Sequence, residues 1–322
     1  MANVVITGVT GFIGRRLAET LTERGYKVYA LIRHSAARDL SNIAPLLDKV
    51  VLLTADLRDY LSVRNAVRSA NPNYVCHLGA LTPVRYSFEH PFENEETNYK
   101  GTMNMVHALL ETSDSKSRRL IAASTAEVYG WQEKNIPFTE DLLLNPASPY
   151  AVSKAAADMY IRMAGEVYGL NFTVLRPTNS YGRVSETGFM VEYLITTMLK
   201  GKKAYVGTPD SIRDYMYVDD HVNAYVRAIE SAKAEKQVFN VSTGVATSNK
   251  ELAERIAEFI GYSKPILFGS YPPGYPQRPA FSDPSYLVLD SSKIQRMLNW
   301  KPTKNLERGL QIVVDHWKGK LS

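Results

Sequence analysis

Asn3-Val4-Val5-Ile6-Thr7-Gly8-Val9-Thr10-Gly11-Phe12-Ile13-Gly14 is the stretch whose reading decides the fold. Val4, Val5 and Ile6 are a short apolar run rich in β-branched residues, which predicts a buried strand over Asn3 to Thr7. Arg15 to Arg24 sets Leu17, Ala18 and Leu21 on one face and predicts a helix. Between strand and helix stand three glycines, spaced three apart. That order makes a pyrophosphate cradle: glycine lets the backbone turn sharply and approach the phosphates, and the helix N-terminus offers free N–H groups to negative charge. Gly8, Gly11, Phe12, Ile13 and Gly14 are the candidate contacts.

The rest of the chain must be consistent with such a fold. Its 322 residues suffice for one large α/β unit or two smaller domains, and 45% hydrophobic and 22% charged residues are ordinary for a globular enzyme. Lys+Arg exceeds Asp+Glu by 38 to 33, a formal net charge of +5 that suits an anionic ligand. The basic residues are scattered, which argues against a nucleic-acid partner; the densest cluster, Lys116 to Arg119, reads as a short solvated turn. A single cysteine, Cys76, excludes an intramolecular disulfide and fits a reducing cytoplasm; its apolar strand makes it a buried structural thiol. No basic leader and no long uncharged apolar run are read, so neither a signal peptide nor a membrane span is expected. The six histidines show no metal-ligand spacing.

A second constellation carries chemistry. Strand Arg119 to Ala123 ends in Ser124-Thr125-Ala126-Glu127, and later Ser148-Pro149-Tyr150-Ala151-Val152-Ser153-Lys154 opens a helix. Ser148 is a good N-cap and Pro149 a good first-turn residue, so Tyr150 sits in the first turn with Lys154 one turn on, on the same face. A phenol with pKa near 10 is a poor base at neutral pH. An ammonium one turn away and the positive helix end favour the phenolate, which can take a proton from a hydroxyl as its carbon loses hydride. Thr125 can hydrogen-bond the same oxygen, and Lys154 can also hold the nicotinamide ribose.

Thr7-Gly8-x-x-Gly11-x-x-Gly14 together with Thr125, Tyr150 and Lys154 resembles the extended short-chain dehydrogenases, which modify nucleotide sugars. The resemblance implies a Rossmann-type doubly wound parallel sheet over residues 1–178, with segments near 214–242 returning to it, and a smaller C-terminal α/β lobe over 179–322 that holds the sugar nucleotide. Past strand Lys27 to Ile32, the position that is Asp in NAD-using members is Ile32, followed by Arg33, His34, Ser35 and Arg38. That stretch resembles the GDP-mannose 4,6-dehydratases and implies NADP, with NAD possible. Asp56 and Leu57, after strand Val50 to Thr54, correspond to the adenine end. Leu78, Gly79 and Ala80 resemble the cofactor-lining end of the family's H-L-A-A, with Gly79 a departure. His77 itself reads as a packed strand residue. Arg85 and Ser87 lie in the family's substrate loop. Helix Glu96 to Leu110, with Asn98, Gly101 and Thr102, resembles the N-x-x-G-T helix that usually packs in a homodimer.

The second half continues the resemblance. Arg176 to Arg183 is similar to R-x-x-N-x-Y-G-P, with Arg183 in place of proline and Asn179 at the substrate. Arg213 begins a segment similar to R-D-x-x-Y-V-x-D and, with Arg278, is implied to clamp the substrate diphosphate, for which a guanidinium is well shaped. Asp219-Asp220-His221 reads as an N-cap with an acidic first turn. Asp290, Lys293, Leu298, Trp300 and Pro302 match the run that closes these enzymes. Glu127 separates the reactions. Beside a C4 ketone, a carboxylate two residues from Thr125 can remove the C5 proton, as a 4,6-dehydratase requires. Ala126, where the dTDP-glucose dehydratases have Asp, cannot protonate a leaving C6 hydroxyl. The expectation is an NDP-hexose 4,6-dehydratase; a 4-epimerase, a UDP-glucuronate decarboxylase-like enzyme and a non-catalytic NADP-binding regulator are the alternatives.

Overall fold

The computed structural model describes residues 1–35, 40–112, 117–275, 278–279 and 281–321. Seven strands are Asn3–Thr7 (β1), Lys27–Ile32 (β2), Val50–Thr54 (β3), Tyr74–His77 (β4), Arg119–Ala123 (β5), Asn171–Pro177 (β6) and Gln237–Val241 (β7). They form one sheet in the order β7-β6-β5-β4-β1-β2-β3, parallel throughout. Parallel strands covered on both faces need apolar residues at odd and even positions alike. In β1, Val4 and Ile6 pack into one core while Val5 packs into the other.

The main helices are Phe12–Glu23 (α1), Tyr60–Ala70 (α2), Gly101–Leu110 (α3), Pro149–Val167 (α4), Met190–Leu199 (α5), Val218–Glu230 (α6), Asn249–Ile260 (α7) and Leu306–Leu321 (α8). One face of the sheet is covered by α1 and α6, the other by α2, α3 and α4. This is the Rossmann-type doubly wound arrangement. Its strand order reverses between β1 and β4, and the crevice outside their carboxyl ends is where such sheets bind ligands.

The lobe has its own core. Leu194, Ile195 and Met198 of α5 meet Leu252 and Ile256 of α7 and Leu310, Val314 and Trp317 of α8. Short parallel pairs join Asn179–Tyr181 to Tyr215–Tyr217 and Ala204–Val206 to Ile266–Phe268. Besides β7 and α6, the segment carrying Ile294, Leu298 and Trp300 comes back to the sheet, where Trp300 is wholly buried and donates to the Asp220 carbonyl.

Several local expectations change. α1 begins at Phe12, three residues before the expected start, because extended Gly11 serves as its N-cap. The helix expected over Glu96 to Leu110 has a π-turn at Glu96–Lys100 before α3. The N-cap of α6 is Tyr217, with no side-chain bond; Asp219 and Asp220 lie in the first turn, and Asp220 accepts from the N–H groups of Thr303 and Lys304. Arg118 and Arg119 are buried, not solvated. Arg119 donates to the carbonyls of Ala228 and Ser231, and Arg118 to that of Pro72. Lys116 lies outside the described residues. Among the described residues, no helix is long and apolar enough to cross a membrane.

Candidate active site

The glycine turn is closed by the Gly11 N–H donating to the Gly8 carbonyl at 3.0 Å. Gly8 has φ +72°, and a Cβ there would lie 2.9 Å from the Gly79 nitrogen; a Cβ on Gly14 would lie 2.2 Å from the Gly8 carbonyl oxygen. Neither position admits a side chain. Gly11 puts no capping side chain on α1, so the first-turn N–H groups beside Phe12 and Ile13 stay free for an anion.

Behind the turn runs a buried polar chain. Thr102 donates to the Asn98 carbonyl at 2.6 Å, so its oxygen accepts from His77 Nε2 at 3.1 Å. His77 Nδ1 then accepts from the Thr7 hydroxyl at 3.0 Å, and Thr7 accepts the Gly79 N–H at 2.8 Å. Burial, and secondarily the charge of Lys154, push the His77 pKa down to about 3. The chain fixes the neutral Nε2–H tautomer. Asn98 also brackets Leu81, accepting its N–H and donating to its carbonyl, and donates to Ser153 of α4. It thereby holds the segment Leu78, Gly79 and Ala80 against the tyrosine helix, a role the N-x-x-G-T likeness did not reveal.

At the other end of the crevice Arg33, His34 and Ser35 are exposed beyond β2, and Arg38 lies outside the described residues. Asp56 is gripped by Arg58, which the sequence reading passed over: the Arg58 Nη2 and Nε lie 2.7 and 3.0 Å from its oxygens. That bond holds the Asp56 carboxyl below its usual range, with a smaller push from Arg33. Leu57 is buried next to Gly79 and Gly101.

The catalytic candidates converge. Ser148 accepts from the Ala151 N–H at 3.1 Å and Pro149 opens α4, so the cap forms as expected. Thr125 caps the turn Ala126–Tyr129, accepting the Glu127 N–H at 3.2 Å, and its hydroxyl is close enough to the Tyr150 phenol to act on its pKa. Burial raises the phenol's pKa, the Thr125 hydroxyl opposes it, and the Glu127 charge adds to it. Lys154 lies one turn along α4 from Tyr150, as expected. Lys154 is itself buried, which pushes it down to about 8 against the pull of Asp158. Asp158, another residue unremarked in the sequence, forms a bidentate pair with Arg176 at 2.9 and 3.0 Å.

Across the cleft, Glu127 has its pKa raised by desolvation, countered by Arg213 and Arg278, with Asp283 adding to it. Those two arginines meet on one carboxylate: Arg213 Nη2 lies 2.7 Å and Arg278 Nη1 3.3 Å from Asp283 Oδ1. The Thr208 hydroxyl donates to the other Asp283 oxygen. Asn179 is exposed, with its N–H on the Asp214 carbonyl. Arg85 lies 4.3 Å over the Tyr275 ring. Ser87 is not on the surface of its loop: it is fully buried and donates to the Val84 carbonyl.

A dinucleotide fits these residues. Beyond the uncapped α1 and the glycine cradle, the Ser124 and Thr178 hydroxyls, at the ends of β5 and β6, are buried without hydrogen-bond partners, an uncommon condition for polar groups. Sheet, glycine turn and Thr125–Tyr150–Lys154 together define a dinucleotide-dependent enzyme of the Rossmann class.

Its family follows from comparison. The chain belongs to the extended short-chain dehydrogenase family of nucleotide-sugar epimerases and dehydratases, and the family model described as GDP-mannose 4,6 dehydratase matches residues 5–313. The UDP-glucose 4-epimerase of Thermotoga maritima, solved with UDP-glucose, is 29% identical with a TM-score of 0.88 over 99% of this chain and 100% of its own. The UDP-glucose 4-epimerase of Thermus thermophilus, solved with NAD, is 31% identical with a TM-score of 0.86 over 98% and 99%. A dTDP-glucose 4,6-dehydratase of Xanthomonas campestris pv. campestris is 27% identical over 98% of this chain and 93% of its own. The chain is an NAD-type-cofactor-dependent, nucleotide-sugar-modifying enzyme.

Proposed function

We propose that the enzyme is an NDP-hexose 4,6-dehydratase. The observation that carries this reading is the placement of Glu127: a carboxyl two residues from Thr125, with a raised pKa, within electrostatic reach of Arg213, Arg278 and Asp283. Gly8, Gly11, Phe12, Ile13, Gly14 and the ends of β5 and β6 would hold the dinucleotide, which would supply a reversible hydride acceptor for sugar C4. Tyr150 accepts the C4 hydroxyl proton, Thr125 orients that oxygen, and Lys154 holds the nicotinamide ribose. Glu127 would remove the C5 proton and pass it to the departing C6 hydroxyl, which leaves as water; hydride would return to C6 and C5 would take a proton from solvent. Arg213 and Arg278 bind the diphosphate, with Asn179 and Arg85 at the sugar and its loop.

Ala126 favours a second reading. It is buried and offers no proton donor, which suits a 4-epimerase, whose ketone rotates and regains hydride on its other face. The discriminating experiment incubates the enzyme with UDP-, GDP-, dTDP- and CDP-hexoses in heavy water. The dehydratase gives a product lighter by one water with deuterium at C5. Glu127→Gln stops the C5 exchange while single-turnover cofactor reduction continues. A product of unchanged mass without deuterium at C5 makes the enzyme an epimerase.

NADP is the favoured cofactor. Arg33 and Arg58 both act on Asp56, a cationic setting that suits a 2′-phosphate. Titration of both nucleotides should show tighter NADP binding, and Arg33→Asp should narrow or reverse the preference; equal or tighter NAD binding by the parent protein removes it. A homodimer is also proposed. Val152, Met159 and Val167 form an exposed apolar stripe along α4, beside Phe92 at 80% exposure. Light scattering reads the assembly directly, and a monomer rejects it.

A further inference from the structure

Arg183 stands where the resembled motif has proline, and its side chain is only 12% exposed. The guanidinium carbon lies 3.5 Å from the centroid of the Phe189 ring and 4.4 Å from that of Phe12. Phe12 is the residue that turns the glycine loop into α1; Phe189 is the N-cap of α5 in the lobe. Arg183 Nη1 donates to the Ser180 carbonyl at 2.9 Å and lies 3.4 Å from Glu192, a carboxylate with no exposure at all. The N–H groups of Gly182 and Arg183 both donate to the other Glu192 oxygen. From the far side, Trp317 Nε1 donates to the Arg183 carbonyl and Lys320 Nζ to that of Val184. The segment is therefore anchored in the lobe by α5 and α8, and its one long side chain reaches out of the lobe to the glycine turn. A cavity of about 200 Å³, lined among others by Gly11, Phe12, Asn42 and Asp219, opens beside it.

We propose that Arg183 is a positioning residue for the cofactor: stacked between Phe12 and Phe189, it pins the phosphate-binding turn to the sugar lobe and slows release of the bound dinucleotide. A planar cation over two aromatic rings is attracted by the quadrupoles of both, and Glu186 and Glu192 pair with it from the lobe side. Parting the turn from the lobe separates the guanidinium from Phe12, so a release that opens this cleft breaks that contact. An enzyme that takes hydride from its substrate and returns it to the same molecule gains from such retention, because a reduced cofactor lost in mid-cycle strands the keto sugar. This last point rests on the oxidation-and-return chemistry proposed above; the pinning itself does not.

The test measures dissociation of NADH and NADPH by stopped-flow fluorescence on the full chain, with no sugar present. Arg183→Met paired with Glu192→Gln, which avoids an unpaired buried acid, should raise the off-rate by roughly tenfold. Arg183→Lys keeps the ion pair but loses the planar stack and should fall between. Phe12→Leu should raise the off-rate too, and combining it with the Arg183 change should add little, since both remove one contact. Restoring the stack with Phe12→Tyr should return the parent rate. A merely structural role would lower Tm and leave the off-rates of the folded variants unchanged, which overturns the proposal. So would full additivity of the Phe12→Leu and Arg183 changes. These readouts need no turnover, so failure of the dehydratase reading leaves them intact.

Discussion

The two sides of the cleft are held by different forces. On the cofactor side, Thr7, His77, Thr102, Asn98 and Ser153 form a neutral, buried hydrogen-bond chain hung on strand ends and two helices. On the sugar side, Arg213, Arg278 and Asp283 form a charged cluster whose members come from a two-residue strand and a loop. The first fixes backbone atoms and tolerates no change of shape, as the glycine contacts show. The second fixes charge, with two guanidinium groups on one carboxylate. Shape is kept around the glycine turn, and charge is concentrated on the lobe side of the cleft.

Changing a reacting group should separate chemistry from both kinds of anchoring. Tyr150→Phe removes a hydroxyl without disturbing α4, so turnover should fall by roughly 10²–10⁴-fold with cofactor binding and Tm close to the parent values. Activity near the parent level would take Tyr150 out of the reaction. A smaller effect sharpens the contrast on the sugar side. Arg213→Ala should raise KM by about tenfold or more with kcat much less affected, because the diphosphate carries the same charge before and during reaction. A fall in kcat alone would show that the cluster acts on the reacting carbons instead.

The smallest effect concerns stability. Lys154 titrates near 8 in the folded chain against 10.5 for an ordinary lysine. Between those values the unfolded chain binds more protons, so stability rises with pH across that window and this contribution is lost as pH falls through about 8. Urea unfolding at pH 8 and 9.5 should show a rise in the parent protein that Lys154→Met lacks, by at most about 1.4 kcal/mol per pH unit. Equal slopes would mean that Lys154 is solvated in the free protein.

What could be read in the sequence follows the same division. The parallel sheet was legible because doubly buried strands must be apolar along their length and because the glycine turn has one dominant use. The Ser148 cap and Tyr150–Lys154 register were legible because helix geometry fixes them locally. Asp283 was not, since nothing in Phe281-Ser282-Asp283 marks a carboxylate that two distant arginines share. Asn98's internal role was not legible, because its partners Leu81 and Ser153 stand far along the chain. Ser87 looked like a ligand contact by its place in a loop, but the short helix Val84–Glu89 turns it inward.

The late return of Trp300 to the sheet bears on how the chain matures. Helix α6 covers one face of the sheet, but Trp300 is needed to cover α6, its indole closing on the Asp220 carbonyl. A nascent chain that has exposed only β1 to β6 has the cofactor turn and the catalytic tyrosine, yet lacks β7, α6 and the segment that seals them. Non-local closure of this kind is slow, and surfaces left open meanwhile are prone to aggregate. The part of that face which α6 covers therefore stays open during synthesis until residues 218–241 have been made, and its seal waits for Trp300.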